Sequence, residues 1–385
     1  MNRIAIIGSD ERVRLVNPDA LDTPYSTASS PGHRCAWPVW SPDGESVTYS
    51  AYPAAGSNGQ GAFRVVSKPE GQVARPIYTN EPGTDAIAQH TPHYMIWSPD
   101  GSKVAFIAQT LSSGMSLMVA NADGAETAER LIGGAPLYFC WSVDSEYILV
   151  HARELHYLIR LSEPEPAQVP IMSMSYQAPS VSSLDGRIAM CGEMSETMQG
   201  IIVATIQGGS DIVGEVEGLV ALSWRPGRGQ IAIVSGLDRG IGYYDKLTLL
   251  DADSTAERVL IEDPILCFFW SPDGTKIAYI TPSEDAQGSV RWAVLDLVTD
   301  DVHYLADFLP SREQLTMFMF FDQYGQSHRM WSPDSSKILF SGVPGRLESR
   351  GPLPDGSASS IYIADVNGIE EPALVAQGTI GVWSA

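Results

Sequence analysis

WSPDGTKIAYI, residues 270–280, has the composition of a tight turn that leads into a strand. Pro272 favours a turn conformation, the side chain of Asp273 can hydrogen-bond to nearby backbone, and Gly274 accepts the positive φ angle that ends the turn. The apolar and β-branched residues after Lys276 are typical of a buried strand. The stretch therefore predicts a turn followed by a strand that packs in a core.

The same unit recurs along the chain. The other copies open with the same turn or a weaker form of it, at positions 40, 97, 141, 182, 224 and 331, and a last tryptophan stands at 383. The intervals between successive anchors are 57, 44, 41, 42, 46, 61 and 52 residues. Internal repeats of this length indicate a propeller or a linear array.

Each unit has room for four short strands. In the second unit the strand candidates after the turn are residues 104–107, 116–120 and 130–132. Glycine and proline are abundant between such segments, and the sequence shows no convincing amphipathic helix. This combination favours radial blades over a solenoid and predicts an all-β propeller.

The two ends of the chain supply one more unit. Residues 379–385 have the pattern of an inner strand and the start of its turn, and residues 2–7 match 275–280. The prediction is an eight-bladed β-propeller of four-stranded antiparallel blades that forms a single domain, residues 1–385. The eighth blade is split between 1–30 and 379–385, so that one C-terminal strand plus three N-terminal strands close the ring and remove its free sheet edges.

The WSPDG turn, followed by a basic residue and an apolar strand, resembles the repeat of TolB-like propellers, a WD-like family. The resemblance covers essentially the whole chain. It implies a scaffold that binds partners through the propeller, but a fold alone does not define a function. TolB-like proteins are typically exported and carry an N-terminal helical domain. Neither an export signal nor that domain is recognisable here, so the resemblance implies no particular partner.

Composition narrows the possible partners and the compartment. The chain has 24 basic and 46 acidic residues and a net charge of −22, which disfavours nucleic acid and anionic membrane surfaces. No signal sequence and no apolar run of membrane-spanning length are apparent. The four cysteines, Cys35, Cys140, Cys191 and Cys267, show no paired spacing. We therefore expect a cytoplasmic monomer with reduced, buried thiols, no membrane insertion and no cofactor.

The loops opposite the WSPDG turns hold nearly every insertion, so we expect the functional site at that mouth of the channel. Three residues before four of the tryptophan anchors stand Trp37, Tyr94, Tyr138 and His328, which should converge there. The predicted ligand-binding residues share this mouth position, and they are His33, Arg34, Trp37, His90, His93, Tyr94, Tyr138, Gln177, Phe321, Asp322, Gln323, Tyr324, His328 and Arg329.

The most distinctive insertion is residues 314–329, an apolar run that ends in a polar group. We expect it to fold back over the mouth, burying its Phe and Met residues and presenting the polar side chains inward. A plain plug between blades is the alternative. His90 and His93 have the spacing of a metal-binding pair, but no carboxylate or cysteine stands at ligand spacing, so no metal site is predicted.

Two functions remain open. The first is a non-catalytic cytoplasmic propeller that binds a protein segment or a small ligand at the elaborated mouth. The second is a propeller enzyme of hydrolase, lyase or cyclase type, with Asp322, Tyr324 and His328 as acid, donor and base and other mouth histidines nearby. The sequence contains no nucleophile elbow, no phosphate-binding loop and no Cys-x-x-Cys pair, and this favours the first function.

Overall fold

The computed structural model describes residues 2–23, 25–29, 33–53, 63–69, 71–80, 94–110, 114–173, 177–237, 242–283, 288–345 and 359–385. His90 and His93 lie outside these residues.

Short strands make up most of the described chain. In chain order they are β1 (Ile4–Gly8), β2 (Val13–Val16), β3 (Ser26–Thr27), β4 (His33–Trp40), β5 (Ser46–Pro53), β6 (Phe63–Pro69), β7 (Arg75–Asn80), β8 (Met95–Trp97), β9 (Lys103–Thr110), β10 (Gly114–Asn121), β11 (Glu129–Gly133), β12 (Leu137–Trp141), β13 (Tyr147–Ala152), β14 (Leu155–Arg160), β15 (Glu163–Met172), β16 (Ser180–Val181), β17 (Ile188–Glu193), β18 (Met198–Ala204), β19 (Ser210–Glu217), β20 (Leu219–Trp224), β21 (Gln230–Gly236), β22 (Lys246–Asp251), β23 (Glu257–Ile261), β24 (Cys267–Trp270), β25 (Lys276–Pro282), β26 (Val290–Asp296), β27 (Val302–Pro310), β28 (Lys337–Pro344), β29 (Ser360–Asp365) and β30 (Ala373–Trp383).

The strands form antiparallel sheets that follow the sequence repeat. Among the described residues, β4–β7, β8–β11, β12–β15, β16–β19 and β20–β23 each form a four-stranded sheet. A ten-stranded sheet runs from β24 through β30 and continues into β1, β2 and β3. The all-β class and the four-stranded antiparallel units are as predicted.

The two ends of the chain pair with each other. Strand β30 pairs with β29 through its first half and with β1 through its second half, where Ile4 lies opposite Trp383. The backbone N–H of Ser384 also donates to the carbonyl of Arg3 at 2.8 Å. The predicted contact between the C-terminal strand and the first strand is therefore confirmed, and the sheet has no free edge at this junction.

The WSPDG turns are held by a repeated set of hydrogen bonds. In the turn after β24, the Ser271 hydroxyl donates to the Asp273 carboxylate at 2.7 Å, and the N–H of Gly274 donates to the carbonyl of Ser271 at 2.9 Å. Gly274 has a φ of 67°, which glycine adopts without strain. The first repeat has the same serine–aspartate hydrogen bond, and there the Ser41 hydroxyl lowers the pKa of Asp43. Serine, aspartate and glycine thus each have a distinct role in the turn.

The tryptophans of the repeat join neighbouring units. The indole N–H of one unit donates to a backbone carbonyl of the unit before it, at the residue that precedes that unit's own tryptophan. The observed pairs are Trp40 to Val382 at 3.2 Å, Trp141 to Ile96 at 3.1 Å, Trp270 to Ser223 at 3.3 Å and Trp331 to Phe269 at 3.1 Å. The equivalent nitrogens of Trp97, Trp224 and Trp383 are buried without a partner among the described residues. The repeat therefore specifies both a turn and a link between blades.

Two short helices that the sequence pattern did not indicate interrupt the β pattern. They are α1 (Arg312–Met319) and α2 (Phe321–Tyr324). The hydroxyl of Ser311 caps α1 by accepting from the N–H of Gln314 at 3.0 Å. A helix this short gains its stability from tertiary packing, here from the buried Met317 and Phe318, rather than from intrinsic propensity.

All four cysteines are buried and form no disulfide, as predicted. Burial raises the pKa of each thiol, to about 11 for Cys35, so these groups stay protonated at neutral pH. In the part of the chain that the structure describes, no helix has the length and apolar character needed to cross a bilayer.

Candidate functional site

The segment that contains α1 and α2 forms a plug, residues 311–328, that touches several units. The side-chain amide of Gln323 accepts from the N–H of Phe139 at 3.0 Å and donates to its carbonyl at 3.1 Å. The ring of Phe321 lies 5.1 Å from that of Phe268, and α2 also contacts β20. At the start of the plug, the Ser311 hydroxyl donates to the carbonyl of Thr379 at 2.6 Å. The plug is thus fixed to inner strands on different sides of the fold.

The structure brings together the four residues that precede the tryptophan anchors. The ring of Tyr324, on α2, lies 5.1 Å from Trp37, 4.9 Å from Tyr94 and 5.0 Å from His328. Tyr94 in turn stacks on Tyr138 with 6.4 Å between ring centroids. We call Trp37, Tyr94, Tyr138, Tyr324 and His328 the aromatic cluster. It joins the plug to the first three units.

Most of the aromatic cluster and its neighbours on α2 are buried. Gln323, Tyr324 and His328 have no solvent-exposed area, and Phe321 is 4% exposed. Burial lowers the pKa of His328 to about 3, so its imidazole is neutral. These side chains pack the plug and do not line an open mouth, which agrees with the plain-plug alternative for this segment.

Two polar atoms in the aromatic cluster have no hydrogen-bond partner among the described residues. They are the hydroxyl of Tyr324 and the Nε2 atom of His328. The Nδ1 atom of His328 is satisfied by the Ser327 hydroxyl at 2.8 Å. An unpartnered buried hydroxyl costs about 1 to 3 kcal/mol, so such groups are rare unless they serve another purpose.

Asp322 has an environment unlike that of the other plug residues. Its carboxylate is partly buried and accepts from the N–H of Ala178 at 2.5 Å and from that of Gln323 at 3.0 Å. Burial raises its pKa to about 6, although both hydrogen bonds act in the opposite direction. This carboxyl group therefore titrates close to neutral pH.

The remaining predicted residues are not part of the aromatic cluster. The Nε2 atom of His33 is 3.3 Å from a guanidinium nitrogen of Arg64, and the backbone carbonyl of Gln177 is 2.9 Å from His151 Nδ1. Arg329 is exposed, although desolvation by the surrounding protein lowers its pKa. Of the five residues predicted to face inward, Gln323, Tyr324 and His328 are fully buried, Asp322 is partly buried and Arg329 is exposed.

A pocket of about 160 Å³ lies beside α1, where the first unit meets the paired chain ends. We call it the mouth pocket. It is lined by Ile7, Glu11, Arg34, Cys35, Ala36, Trp37, Tyr52, Arg312, Glu313, Thr316, Thr379 and Ile380. Arg34 and Trp37 were predicted from the sequence. The other lining residues were not predicted, and they share no sequence motif. The adjacent charged residues Arg312 and Glu313, at the start of the plug, are a feature of the sequence from which this side of the pocket could have been predicted.

The rim of the mouth pocket is charged. Arg34 forms an ion pair with Glu11, but its Nε atom is buried and has no hydrogen-bond partner among the residues that the structure describes. Arg312 is exposed and forms no ion pair with any residue that the structure describes. Burial raises the pKa of Glu313, an effect that Arg312 partly offsets. The pocket therefore holds two guanidinium groups with unused donors.

Trp37 lines the mouth pocket with an unusual backbone conformation. Its φ is 55°, which is rare for a bulky side chain, and the pairing of β4 with β5 shifts register between Ala36 and Val39. Such a bulge redirects a side chain at a cost of roughly 1 to 3 kcal/mol. Here it places the indole between the mouth pocket and the rings of Tyr324 and His328.

Metal binding has no support within the described ranges. No group of three or more His, Cys, Asp or Glu side chains lies there in a position to hold a metal ion.

The comparisons with known proteins concern the fold. No protein-family model and no curated protein matches the sequence. Among solved structures, one described as the eukaryotic initiation factor is 13% identical over 99% of this chain and 98% of that chain, with a TM-score of 0.58. An oligogalacturonate lyase in complex with manganese is 15% identical over 86% of this chain and 84% of that chain, with a TM-score of 0.54.

A third solved structure identifies the architecture. The β-propeller domain of the Trilobed protease from Pyrococcus furiosus, which has an open velcro topology, is 12% identical over 90% of this chain and 99% of that chain, with a TM-score of 0.51. At these identities the likeness extends to the fold alone. The chain is a β-propeller, as the repeat predicted.

Proposed function

We propose that this protein is a binding propeller whose ligand site is the mouth pocket. The occupant is a small ligand or the charged end of a protein segment. The observation that carries the proposal is the composition of the pocket, whose lining combines the guanidinium groups of Arg34 and Arg312 with the indole of Trp37, and in which Arg34 Nε has no partner among the described residues. An apolar floor with a few convergent polar groups is the usual composition of a ligand site.

The strained backbone of Trp37 supports this location. A positive φ in a tryptophan persists only where the surrounding structure compensates for it, and such strain concentrates at functional sites. The plug contributes Arg312, Glu313 and Thr316 to the same pocket. One role of the plug, on this proposal, is to complete the site.

We further propose that the ring has eight blades in a single domain. The ten-stranded sheet then contains three of these blades. The sixth blade is β24–β27. The seventh is residues 329–331 with β28, β29 and the first half of β30, and the eighth is the second half of β30 with β1, β2 and β3. The net charge of −22 favours a protein that binds neither nucleic acid nor anionic membranes, and the free buried thiols favour a cytoplasmic location. We propose that the protein acts as a monomer without a cofactor.

Binding of three small probes tests the proposed site. Propionate, propylamine and L-alanine present an anion, a cation and a zwitterion of similar size. Saturation-transfer NMR with the wild-type protein should detect saturable binding of at least one probe. Arg34→Ala should weaken that binding, because it removes a guanidinium that lines the pocket, and Thr316→Trp should abolish it by filling the pocket.

Arg258→Ala is the matched control, since Arg258 also forms an ion pair, with Asp300 at 2.5 Å, but does not line the mouth pocket. This variant should bind the probe as the wild type does. Binding of no probe, or equal binding by Thr316→Trp and the wild type, would contradict the proposed site.

A lyase-type enzyme is the second candidate function. The observation in its favour is the pKa of about 6 at Asp322, a value suited to a general acid or base. Two observations stand against it. The carboxylate already accepts hydrogen bonds from the backbone N–H groups of Ala178 and Gln323, and Asp322 does not line the mouth pocket. Because one solved propeller of similar fold is an oligogalacturonate lyase, release of unsaturated product from oligogalacturonate, lost in Asp322→Asn, would favour this candidate.

A further inference from the structure

The lining of the mouth pocket carries both signs of charge in equal number. Its charged residues are Glu11, Arg34, Arg312 and Glu313, so two guanidinium groups and two carboxylates share one small space. A simple anion in this pocket meets the two carboxylates as well as the guanidinium groups, and a simple cation meets the two guanidinium groups as well as the carboxylates. The lining as a whole therefore favours neither an anion nor a cation.

The four charges are only partly paired. Arg34 and Glu11 form an ion pair, although Arg34 Nε has no partner among the described residues. Arg312 and Glu313 form no ion pair with any residue that the structure describes. Glu313 is half-buried, which raises its pKa, and Glu11 adds to this effect while Arg312 opposes it. The pocket thus offers one place for a cation, at Glu313, and one for an anion, at the guanidinium groups.

The rest of the lining is largely apolar, and the space is small. Ile7, Trp37 and Ile380 are buried residues that line the pocket. Its volume of about 160 Å³ is below the roughly 300 Å³ at which sites for drug-sized ligands begin. The occupant is therefore a small molecule with a short aliphatic part, and it carries one positive and one negative group.

We propose that the occupant of the mouth pocket is a small free amino acid, whose carboxylate binds Arg312 and Arg34 and whose ammonium group binds Glu313. Its aliphatic side chain lies against the ring of Trp37. Guanidinium groups bind a carboxylate through paired hydrogen bonds, and an ammonium group donates to a carboxylate such as that of Glu313. This inference rests on the proposed function, because it names the ligand class of the same pocket. It selects a small zwitterion over the end of a protein segment, since a chain terminus carries only one of the two charges.

Three probes with the same carbon skeleton separate the contributions of the two charges. L-Alanine is propionate with an added α-ammonium group, and L-alaninamide is L-alanine with its carboxylate replaced by a neutral amide. At about pH 6.5 the amine of L-alaninamide is protonated. NMR titrations should show that the wild type binds L-alanine at least about tenfold more tightly than either of the other probes, the effect of one charge-assisted hydrogen bond.

Two substitutions should remove the two preferences separately. In Glu313→Gln the advantage of L-alanine over propionate should fall to about one, while its advantage over L-alaninamide remains. Arg312→Gln should reduce the advantage over L-alaninamide and keep the advantage over propionate. A residue that only shapes the pocket would weaken the binding of all three probes alike, so this exchange of preferences identifies direct charge recognition.

Glu370→Gln is the matched control for the loss of a carboxylate. Glu370 is exposed and does not line the mouth pocket, so this variant should keep both wild-type ratios. Arg312 is exposed and Glu313 half-buried, and thermal melting of the unliganded variants should therefore match the wild type closely. If Glu313→Gln does not fold, the ratios of the three probes on the wild-type protein decide the question by themselves.

The outcomes separate this inference from the proposed function. If propionate or L-alaninamide binds as tightly as L-alanine and Thr316→Trp abolishes that binding, the amino-acid inference is wrong and the pocket assignment stands. If L-alanine is preferred but Glu313→Gln keeps its full advantage over propionate, the ammonium group does not bind Glu313 and the inference is again wrong. If none of these probes and no propylamine binds, the proposed function fails as well.

Discussion

Gln323 and Phe139 exchange two hydrogen bonds although they are 184 residues apart in the chain. The Gln323 amide accepts from the Phe139 N–H and donates to its carbonyl, as a neighbouring strand would. Gln323 therefore provides hydrogen-bond partners for the backbone at the inner edge of β12, where a buried and unpaired N–H or carbonyl group would be costly. The plug is in this respect part of the propeller core.

Gln323→Met should destabilise the protein by about 2 to 4 kcal/mol. The substitution keeps the length of the side chain but leaves the N–H and the carbonyl of Phe139 without partners in a buried site. Urea unfolding monitored by circular dichroism measures the change. Leu315→Ala, at an exposed position of α1, is the control and should change the free energy of unfolding by less than about 0.5 kcal/mol. An unchanged midpoint for Gln323→Met would show that the plug is not coupled to the ring.

The tryptophan links can be tested with two matched substitutions. Trp141→Phe removes the hydrogen bond from its indole to the carbonyl of Ile96, whereas the indole nitrogen of Trp97 has no partner among the described residues. Both rings are similarly buried. The free energy of unfolding should therefore fall by about 1 kcal/mol more in Trp141→Phe than in Trp97→Phe. Equal losses would mean that the indole bonds contribute nothing to blade packing.

The raised pKa of Asp322 predicts a pH-dependent stability. The folded protein holds this proton more tightly than the unfolded chain, so protonation stabilises the fold. The stabilisation is complete below the unfolded pKa, near 4, and is lost as the pH rises through about 6. Between about pH 4 and pH 7 the wild type should lose roughly 1 to 3 kcal/mol of stability relative to Asp322→Asn.

The comparison with Asp322→Asn is needed because buried histidines act in the opposite direction. Burial lowers the pKa of His328 to about 3, and burial together with His151 lowers that of His156 to about 4. Each of these histidines destabilises the fold as the pH falls below about 6.5. Subtracting the variant's profile removes their contribution. Parallel profiles for the two proteins would show that the pKa of Asp322 is not raised in solution.

Deletion of residues 379–385 tests the closure of the ring. The deletion removes the strand that pairs with β1 and takes away the buried side chains of Ile380, Val382 and Trp383. The loss should be at least about 5 kcal/mol, enough to unfold many domains. Trp383→Phe is the control, since it keeps the strand and an aromatic ring at this position, and it should cost clearly less than the deletion. A truncated protein with an unchanged melting temperature would contradict closure by this strand.

The repeat made the fold predictable, since its turn and strand pattern recurs at every unit. The pairing of Ile4 with Trp383 followed because residues 2–7 match residues 275–280 and complete the unit that the C-terminus begins. Counting back from the tryptophans likewise placed Trp37 and His328 near each other, because equivalent positions of inner strands converge on the channel. Periodicity was sufficient for both.

The helices and the buried state of the mouth residues were not predictable in the same way. Helix α1 is short and depends on its Ser311 cap and on tertiary packing, neither of which produces a strong periodic signal. Tyr324 could equally have lined an open rim, because a tyrosine carries both an apolar ring and a polar group. Glu11, Tyr52 and Arg312 meet in the mouth pocket from three distant segments, and only the folded chain shows this.

The most direct test of the central claim is a crystal structure of the protein grown with whichever of propionate, propylamine or L-alanine saturates the wild type in solution. We expect electron density for this probe in the mouth pocket, in contact with Arg34 and with the ring of Trp37. An empty mouth pocket at a concentration that saturates binding in solution, or density at another site, would contradict the account.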